Sequence, residues 1–446
     1  MEKTSNWLDE LKFKLSYGQN GNDNVYTYMY TNRYDIVNSN NNVSLVPSTT
    51  GKNENLSWET SSKFNTGFDF SLFRGRLTGG LEYYNNKTSG LISYVPYAPS
   101  YGYQGYYDNI GNMRNQGFEL SLSGDVIRTK DLNLNIYANI STNQNRVTEL
   151  ADERKIRTLV SYDPETNTYE RSLGYTSSNY AYTEGRSRYT YSTAKYAGVY
   201  NENTWTSTFA PGELDALRES DPAKYQKLID DKGDPSQYGK ALYYKTKYKL
   251  DAEGSVMKDE NGMDMIEGFY TTTSGSDADS YMVCDVLPKA FGGFGLNFSY
   301  KGLDLSLDFQ YQLGGKVYDS EYASLMSLNN GYGFHKDLLN AWSENNASST
   351  IPRLNPGDSY TASHSDRFLT SASCLTFGNF TFGYTLPKKW TRKAYMDKVR
   401  VYVSGDNLYT WSARSGLDPR LSVEGEPNGL MYAPMRTING GVQITF

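Results

Sequence analysis

The chain is poor in the residues on which most soluble chemistry depends. Only two histidines, His335 and His364, and two cysteines, Cys284 and Cys374, occur in its 446 residues. Two histidines cannot build a multi-histidine metal centre, and two distant cysteines fit neither a disulfide scaffold nor a metal knuckle. No metal and no cofactor is therefore expected. Long apolar runs are missing too. The longest span only a few residues, far short of the roughly 18 that a bilayer-crossing helix needs, which excludes helical spans. No segment reads as a nucleophile elbow, a phosphate-binding loop or a paired-histidine zinc helix, so no catalytic residues are expected. The formal net charge of −6 mixes both signs without a basic stripe, which argues against nucleic acid as a partner. The first eight residues hold no apolar signal core. For an exported protein, Met1 is then expected to be an internal methionine, with the signal peptide upstream.

Tyrosine and glycine are abundant instead. Tyr numbers 41 and Gly 40, and aromatics reach 15% although hydrophobic residues total only 38% and mean hydropathy is −0.66. Such a chain can meet lipid only if half of each spanning element is polar, as in a barrel strand. The last nine residues have that form: Ile438, Gly440, Val442, Ile444 and Phe446 share one face, and Asn439, Gly441, Gln443 and Thr445 the other. The same alternation recurs over 11–17, 64–72, 77–83, 118–126, 132–140, 294–300, 303–313, 376–384 and 399–405, giving roughly ten strands with the terminal one.

The connections between these segments alternate in length. Residues 73–76, 127–131 and 301–302 are tight turns and 387–398 is modest, whereas 18–62, 86–116, 147–290, 314–372 and 411–436 are long and rich in Tyr, Asn and Gly. Short turns on one side and long loops on the other form the outer-membrane pattern, with the short side periplasmic. Counting back from Phe446 puts the carboxyl terminus on that side. The 147–290 stretch is too long to be structureless. Pro211 and Pro222 are expected to open short helices. Residues 242–250 and 265–273 are expected to form a hairpin, either above the membrane or as two more strands. Residues 335–342 read as another loop helix, and no internal repeat stands out beyond the hairpin rhythm.

Several segments together resemble the carboxyl-terminal barrel portion of SusC/RagA-type TonB-linked outer-membrane transporters of Bacteroidota. They begin with Trp58-Glu59 followed by Asn65, Gly67 and Asp69, then Leu81-Glu-Tyr-Tyr84 and Asn109-Ile-Gly-Asn-Met-Arg-Asn-Gln-Gly-Phe-Glu119. Leu287-Pro-Lys-Ala-Phe-Gly-Gly-Phe294 follows, then Leu375-Thr-Phe-Gly-Asn-Phe-Thr-Phe-Gly-Tyr-Thr-Leu-Pro387 and Val401-Tyr-Val-Ser-Gly-Asp-Asn-Leu-Tyr-Thr-Trp411. The resemblance implies an all-β fold: an antiparallel transmembrane β-barrel portion contributing about 10–12 of about 22 strands, with long extracellular loops that contain short helices. Residues 1–446 would be the carboxyl-terminal barrel portion and 147–290 an extracellular loop region within it, with the plug outside this chain. The acidic Asp/Asn/Gly segment common in the family before Pro-Lys-x-x-Gly-Gly is replaced by Lys247-Tyr-Lys-Leu-Asp-Ala-Glu-Gly254.

The resemblance further implies a place in the outer membrane of a Gram-negative bacterium and active import of an oligosaccharide or peptide with a SusD-like surface lipoprotein. Energy would come from TonB-ExbB-ExbD through the plug. Functional signal in the residues themselves is aromatic. Tyr94, Tyr97, Tyr101, Tyr103, Tyr106 and Tyr107 crowd one loop, where flat rings with hydroxyls suit sugar faces or peptide side chains. Tyr is also the residue of interfacial girdles and self-packed loops. Asp69, Glu82 and Glu119 read as structural groups of the barrel lumen, and the two histidines as solvated or capping. Phe446 reads as the terminal aromatic recognised by the barrel-assembly machinery. A passive barrel or a secreted all-β carbohydrate-binding or adhesin module is the alternative.

Overall fold

A computed structural model of the chain describes residues 7–23, 27–39, 42–96, 100, 102–328, 331, 333–358, 361–426 and 434–446. Ten strands follow one another in a single antiparallel sheet: β1 Leu8–Asn22, β2 Glu59–Leu72, β3 Leu77–Ser89, β4 Gly111–Arg128, β5 Leu132–Thr142, β6 Ala290–Tyr300, β7 Leu303–Leu313, β8 Cys374–Thr385, β9 Lys398–Trp411 and β10 Thr437–Thr445. Each alternating segment of the sequence falls on one of these strands. Beyond β5, Gln144–Leu150 continues the pairing along the first residues of β4. Among the described residues β1 and β10 each pair with one neighbour only, so the sheet is open. No described helix is long and apolar enough to cross a membrane, which has no bearing on spanning by strands.

Opposed residues of an antiparallel pair share a face, so the register decides what each face is made of. Leu134 opposes Phe298, which opposes Leu305, which opposes Phe382. Val401 opposes Val442. This face is apolar and open: Leu11 is 62% exposed, Phe118 56% and Ile438 66%. On the other face Lys14 binds Asp69 at 2.9 Å and Glu82 at 3.3 Å, and Arg400 Nε donates to Asp304 at 2.9 Å. Asp69 and Glu82 thus hold the structural positions expected of them. Exposed apolar side chains gain little by packing together when the solvent is lipid. The wall is held by its backbone ladder, the arrangement that hydrocarbon would require.

Aromatics mark both ends of the apolar face, as in the girdles of membrane barrels. Tyr17, Tyr409 and Trp411 lie toward the long connections, and Trp7, Phe73, Tyr300, Trp390 and Phe446 toward the short turns, all of them exposed. The turn between β6 and β7 shows why those connections can be short. Lys301 and Gly302, at φ 46 and 94, have the paired positive values of a two-residue turn whose twist matches the strands.

Conventional cores lie in the long connections. Arg157–Asp163, Thr168–Ser177, Tyr180–Thr183, Thr190–Ala194 and Ser280–Asp285 form a five-stranded sheet, and Tyr196–Val199, Ala241–Tyr248 and Ile266–Thr272 a three-stranded one. The expected hairpin of residues 242–250 and 265–273 belongs to the latter, apart from the wall. Tyr180, Tyr191, Tyr318, Met326, Leu338 and Phe368 form one buried cluster, and Tyr200, Trp205 and Leu242 another. Each fully buried aliphatic such as Leu242 stabilises this layer by about 1.5–3 kcal/mol. Helix α1, Glu213–Ser220, starts two residues after Pro211. Helix α2, Pro222–Asp230, has Pro at its first position and is capped by Asp221, which accepts from Lys224 N at 3.0 Å.

One local repeat escaped the sequence reading. Asp251 and Asp259 each fold back on the backbone N–H groups two and four residues on, and Gly254 and Gly262 close the two turns at φ 83 and 76. Two five-residue turns are too short to stand out by composition.

Candidate functional site

Where the polar face of β5–β9 meets the long connections, a cavity of about 1180 Å³ opens. Period-two geometry aims Tyr137 and Asn139 of β5, Asp308, Gln310 and Gln312 of β7, Asn379 of β8 and Asp406 of β9 into it. Residues 286–288, Lys316, Ala372, Pro419, Arg420, Ser422 and Val423 add to its lining, with Phe291 as an aromatic wall. The size lies at or above the usual range for ligand pockets, about 300–1,000 Å³.

The polar groups are braced before any ligand arrives. Tyr137 opposes Gly295, which opposes Asp308. A Cβ on Gly295 would lie 2.6 Å from the Tyr137 ring, so the missing side chain lets the ring cross the strand and donate its hydroxyl to Asp308. Asn379 donates to Asp406 at 2.6 Å. From the connection between β9 and β10, Arg420 grips Asp418 with Nε at 2.9 Å and Nη2 at 2.7 Å, and donates Nη1 to Gln310 at 3.1 Å. Burial pushes the Asp418 carboxyl up, but the hydrogen bonds from the Arg420 side chain and backbone hold it below the usual carboxylate range. Fixed amides, carboxylates and one guanidinium suit a ligand rich in hydroxyl or amide groups. They form neither a nucleophile–base pair nor a ligand set for an ion, and among the described residues no three of His, Cys, Asp and Glu gather around a common metal position.

The tyrosines singled out in the sequence sit elsewhere. Tyr97 and Tyr101 lie outside the described residues. Tyr94, Tyr106 and Tyr107 belong to a hairpin of Ile92–Pro96 with Gly105–Asn109 in the β3–β4 connection, and none of these three, nor Tyr103, lines the cavity. Tyr94 and Tyr107 meet edge to face at 5.4 Å. Tyr106 is half-buried beneath the buried Arg154, whose guanidinium lies 5.4 Å from its ring centroid, bonds its hydroxyl and pairs with Asp108 at 2.9 Å. Tyr106 thus packs within the loop, while Tyr94 and Tyr103 remain exposed. His335 caps a 3₁₀ turn, Nδ1 accepting from Asp337 N at 3.1 Å. His364 stacks on Tyr318 at 4.2 Å, with Tyr191 Oη and Thr193 Oγ1 each 3.0 Å from its ring nitrogens and Glu426 3.9 Å away.

The alternation of β5 and β7 already placed Asn139 and Gln310 on a polar face. No sequence signal marked Arg420, which reaches the cavity only through the packing of its connection.

Comparison with known proteins agrees with this geometry. Residues 5–217 match the family model described as TonB dependent receptor-like, beta-barrel. TonB-dependent receptor P3 of Formosa agariphila is 27% identical over 100% of this chain and 40% of its own length. TonB-dependent receptor SusC of Bacteroides thetaiotaomicron is 24% identical over 94% of this chain and 36% of its own length. Among solved structures, that of the RagAB peptide transporter superposes with a TM-score of 0.70 at 26% identity, covering 99% of this chain and 41% of that one. The RagAB peptide importer in its open-open state gives 0.66 at 25% identity, covering 100% and 41%. The chain thus spans about 40% of the length of the first of these relatives.

Proposed function

We propose that the chain, which is similar over residues 5–217 to the TonB-dependent receptor-like β-barrel family and has SusC and RagA-type transporters among its relatives, forms wall, lumen and loops of an active outer-membrane importer of oligosaccharides or peptides. That similarity implies a place in the outer membrane. Its relatives are receptors and transporters rather than enzymes.

Ligand would be held between the long connections and a SusD-like surface lipoprotein, pass the cavity of Tyr137, Gln310, Asn379 and Arg420, and leave inward when TonB-ExbB-ExbD acts on a plug elsewhere in the full protein. The long connections would face outward and the carboxyl terminus the periplasm, with Phe446 as the assembly signal. Exposed Tyr94 and Tyr103 are the loop rings open to a first encounter, with Tyr107 as support for Tyr94.

Beside that similarity, the observation that supports this reading is the braced polar cavity where the wall meets the long connections. Uptake of labelled oligosaccharides and peptides by cells carrying the full-length protein tests it. Replacing Gln310 and Asn379 together by Ala should cut uptake at limiting ligand by at least about fivefold, as expected for one or two lost neutral hydrogen bonds, without changing the amount inserted. Unchanged uptake of every ligand tested would remove the cavity from the path.

A further inference from the structure

The apolar face carries a second concavity. A groove of about 430 Å³ is lined by Leu307, Phe377, Phe380, Leu408, Tyr409 and Ile438, with Arg436 as its one charged group. Its origin is local. The ladder slips between Phe377 and Asn379, and on β9 Asn407 takes φ 51 to absorb the slip. Two residues, Asn407 and Leu408, then oppose Gly378 alone, a bulge of the kind that bends a strand and re-aims a side chain. Gly405 lets two of the walls settle: a Cβ there would lie 2.6 Å from the Phe380 ring and 2.8 Å from Leu408, so its missing side chain lets both pack down against the strand. Gly405 pairs with Ile438 on one side and Phe380 on the other, so the groove runs across β8, β9 and β10.

Arg436 gives this groove a direction. It lies one residue before β10, at the strand end where Tyr409 and Trp411 form part of the aromatic girdle, their rings 4.8 Å apart. Side chains at that depth meet lipid headgroups. Arg436 is exposed and, among the described residues, pairs with no carboxylate. A cation at the polar rim of an oily slot is complementary to an anion joined to acyl chain, and the guanidinium fork suits phosphate in particular. We infer that this groove is a binding site for a phosphate-bearing membrane lipid, one acyl chain lying in the slot between Phe380, Leu408 and Ile438 and the phosphate on Arg436. The inference rests on outer-membrane location alone and stands apart from the transport cargo.

Native mass spectrometry of the full-length protein tests it, in micelles holding equal amounts of phosphatidic acid and phosphatidylcholine with identical acyl chains. The wild type should retain phosphatidic acid preferentially, Arg436→Gln should lose that preference by about fivefold, as expected for one interfacial cation, and Arg436→Lys should keep most of it. Leu408→Trp, which fills the slot and spares the cation, should lower retention of both lipids. Heat-modified gel mobility verifies that each variant is folded. Equal retention of the two lipids by the wild type, an unchanged preference in folded Arg436→Gln, or displacement of phosphatidic acid by inorganic phosphate alone would overturn the assignment.

Discussion

At the scale of single residues, the loops are fixed by charges and rings that the sequence does not announce. Arg154 lies over Tyr106 and binds Asp108, which also accepts from Asn53 at 2.9 Å. Arg154→Ala should destabilise the Ile92–Pro96 hairpin by about 1.5–3 kcal/mol, the range for losing a hydrogen bond to a charged group, read as faster cleavage within 92–109 by a protease added outside cells. His364 behaves differently. Burial lowers its pKa from 6.5, and the neighbouring Glu426 opposes that shift only in part. A depressed histidine favours the neutral folded form, so its contribution is present above about pH 6.5 and is lost as pH falls through the folded pKa. Asp366, raised by burial, acts in the opposite sense. The difference between wild type and His364→Gln isolates the histidine: protection of the Thr190–Ala194 amides from hydrogen exchange, corrected for intrinsic rates, should fall more steeply below pH 6.5 in the wild type. Identical pH profiles would contradict the assignment. That His364 would stack on Tyr318 was not legible, because the two residues lie far apart in the chain and meet only through folding.

At the scale of elements, legibility divides sharply. All ten wall strands were readable because one face is apolar and the other polar, which writes a period of two into the chain. Leu132, Leu134, Ile136 and Ile140 against Asn133, Asn135 and Asn139 is that code in β5. The five-stranded sheet of the 147–290 region was not readable. Strands such as Thr190–Ala194 (Thr-Tyr-Ser-Thr-Ala) are nearly buried throughout, so neither face is marked by polarity. The alternation makes a directional prediction. Leu296 opposes Ile136 and Leu307 on the apolar face, and its neighbour Asn297 opposes Ser306 on the polar one. Leu296→Arg should destabilise the full-length barrel in lipid vesicles by about 2–4 kcal/mol, whereas Asn297→Arg should cost far less. Urea unfolding followed by tryptophan fluorescence separates the two, and equal costs would show that the faces are misassigned.

For the whole molecule, the arrangement is a wall with one oily face, a polar face braced by ion pairs, and a folded layer over one end. None of these alone implies transport. Together they enclose a polar cavity beside a hydrogen-bonded wall, and their relatives are TonB-dependent receptors. The cavity is proposed to be part of an energised path. Ligand accumulation by cells expressing the full-length protein, with and without TonB, tests it most directly. Deleting TonB should abolish accumulation against a gradient while leaving ligand binding at the cell surface intact. Accumulation at the wild-type rate without TonB would contradict it.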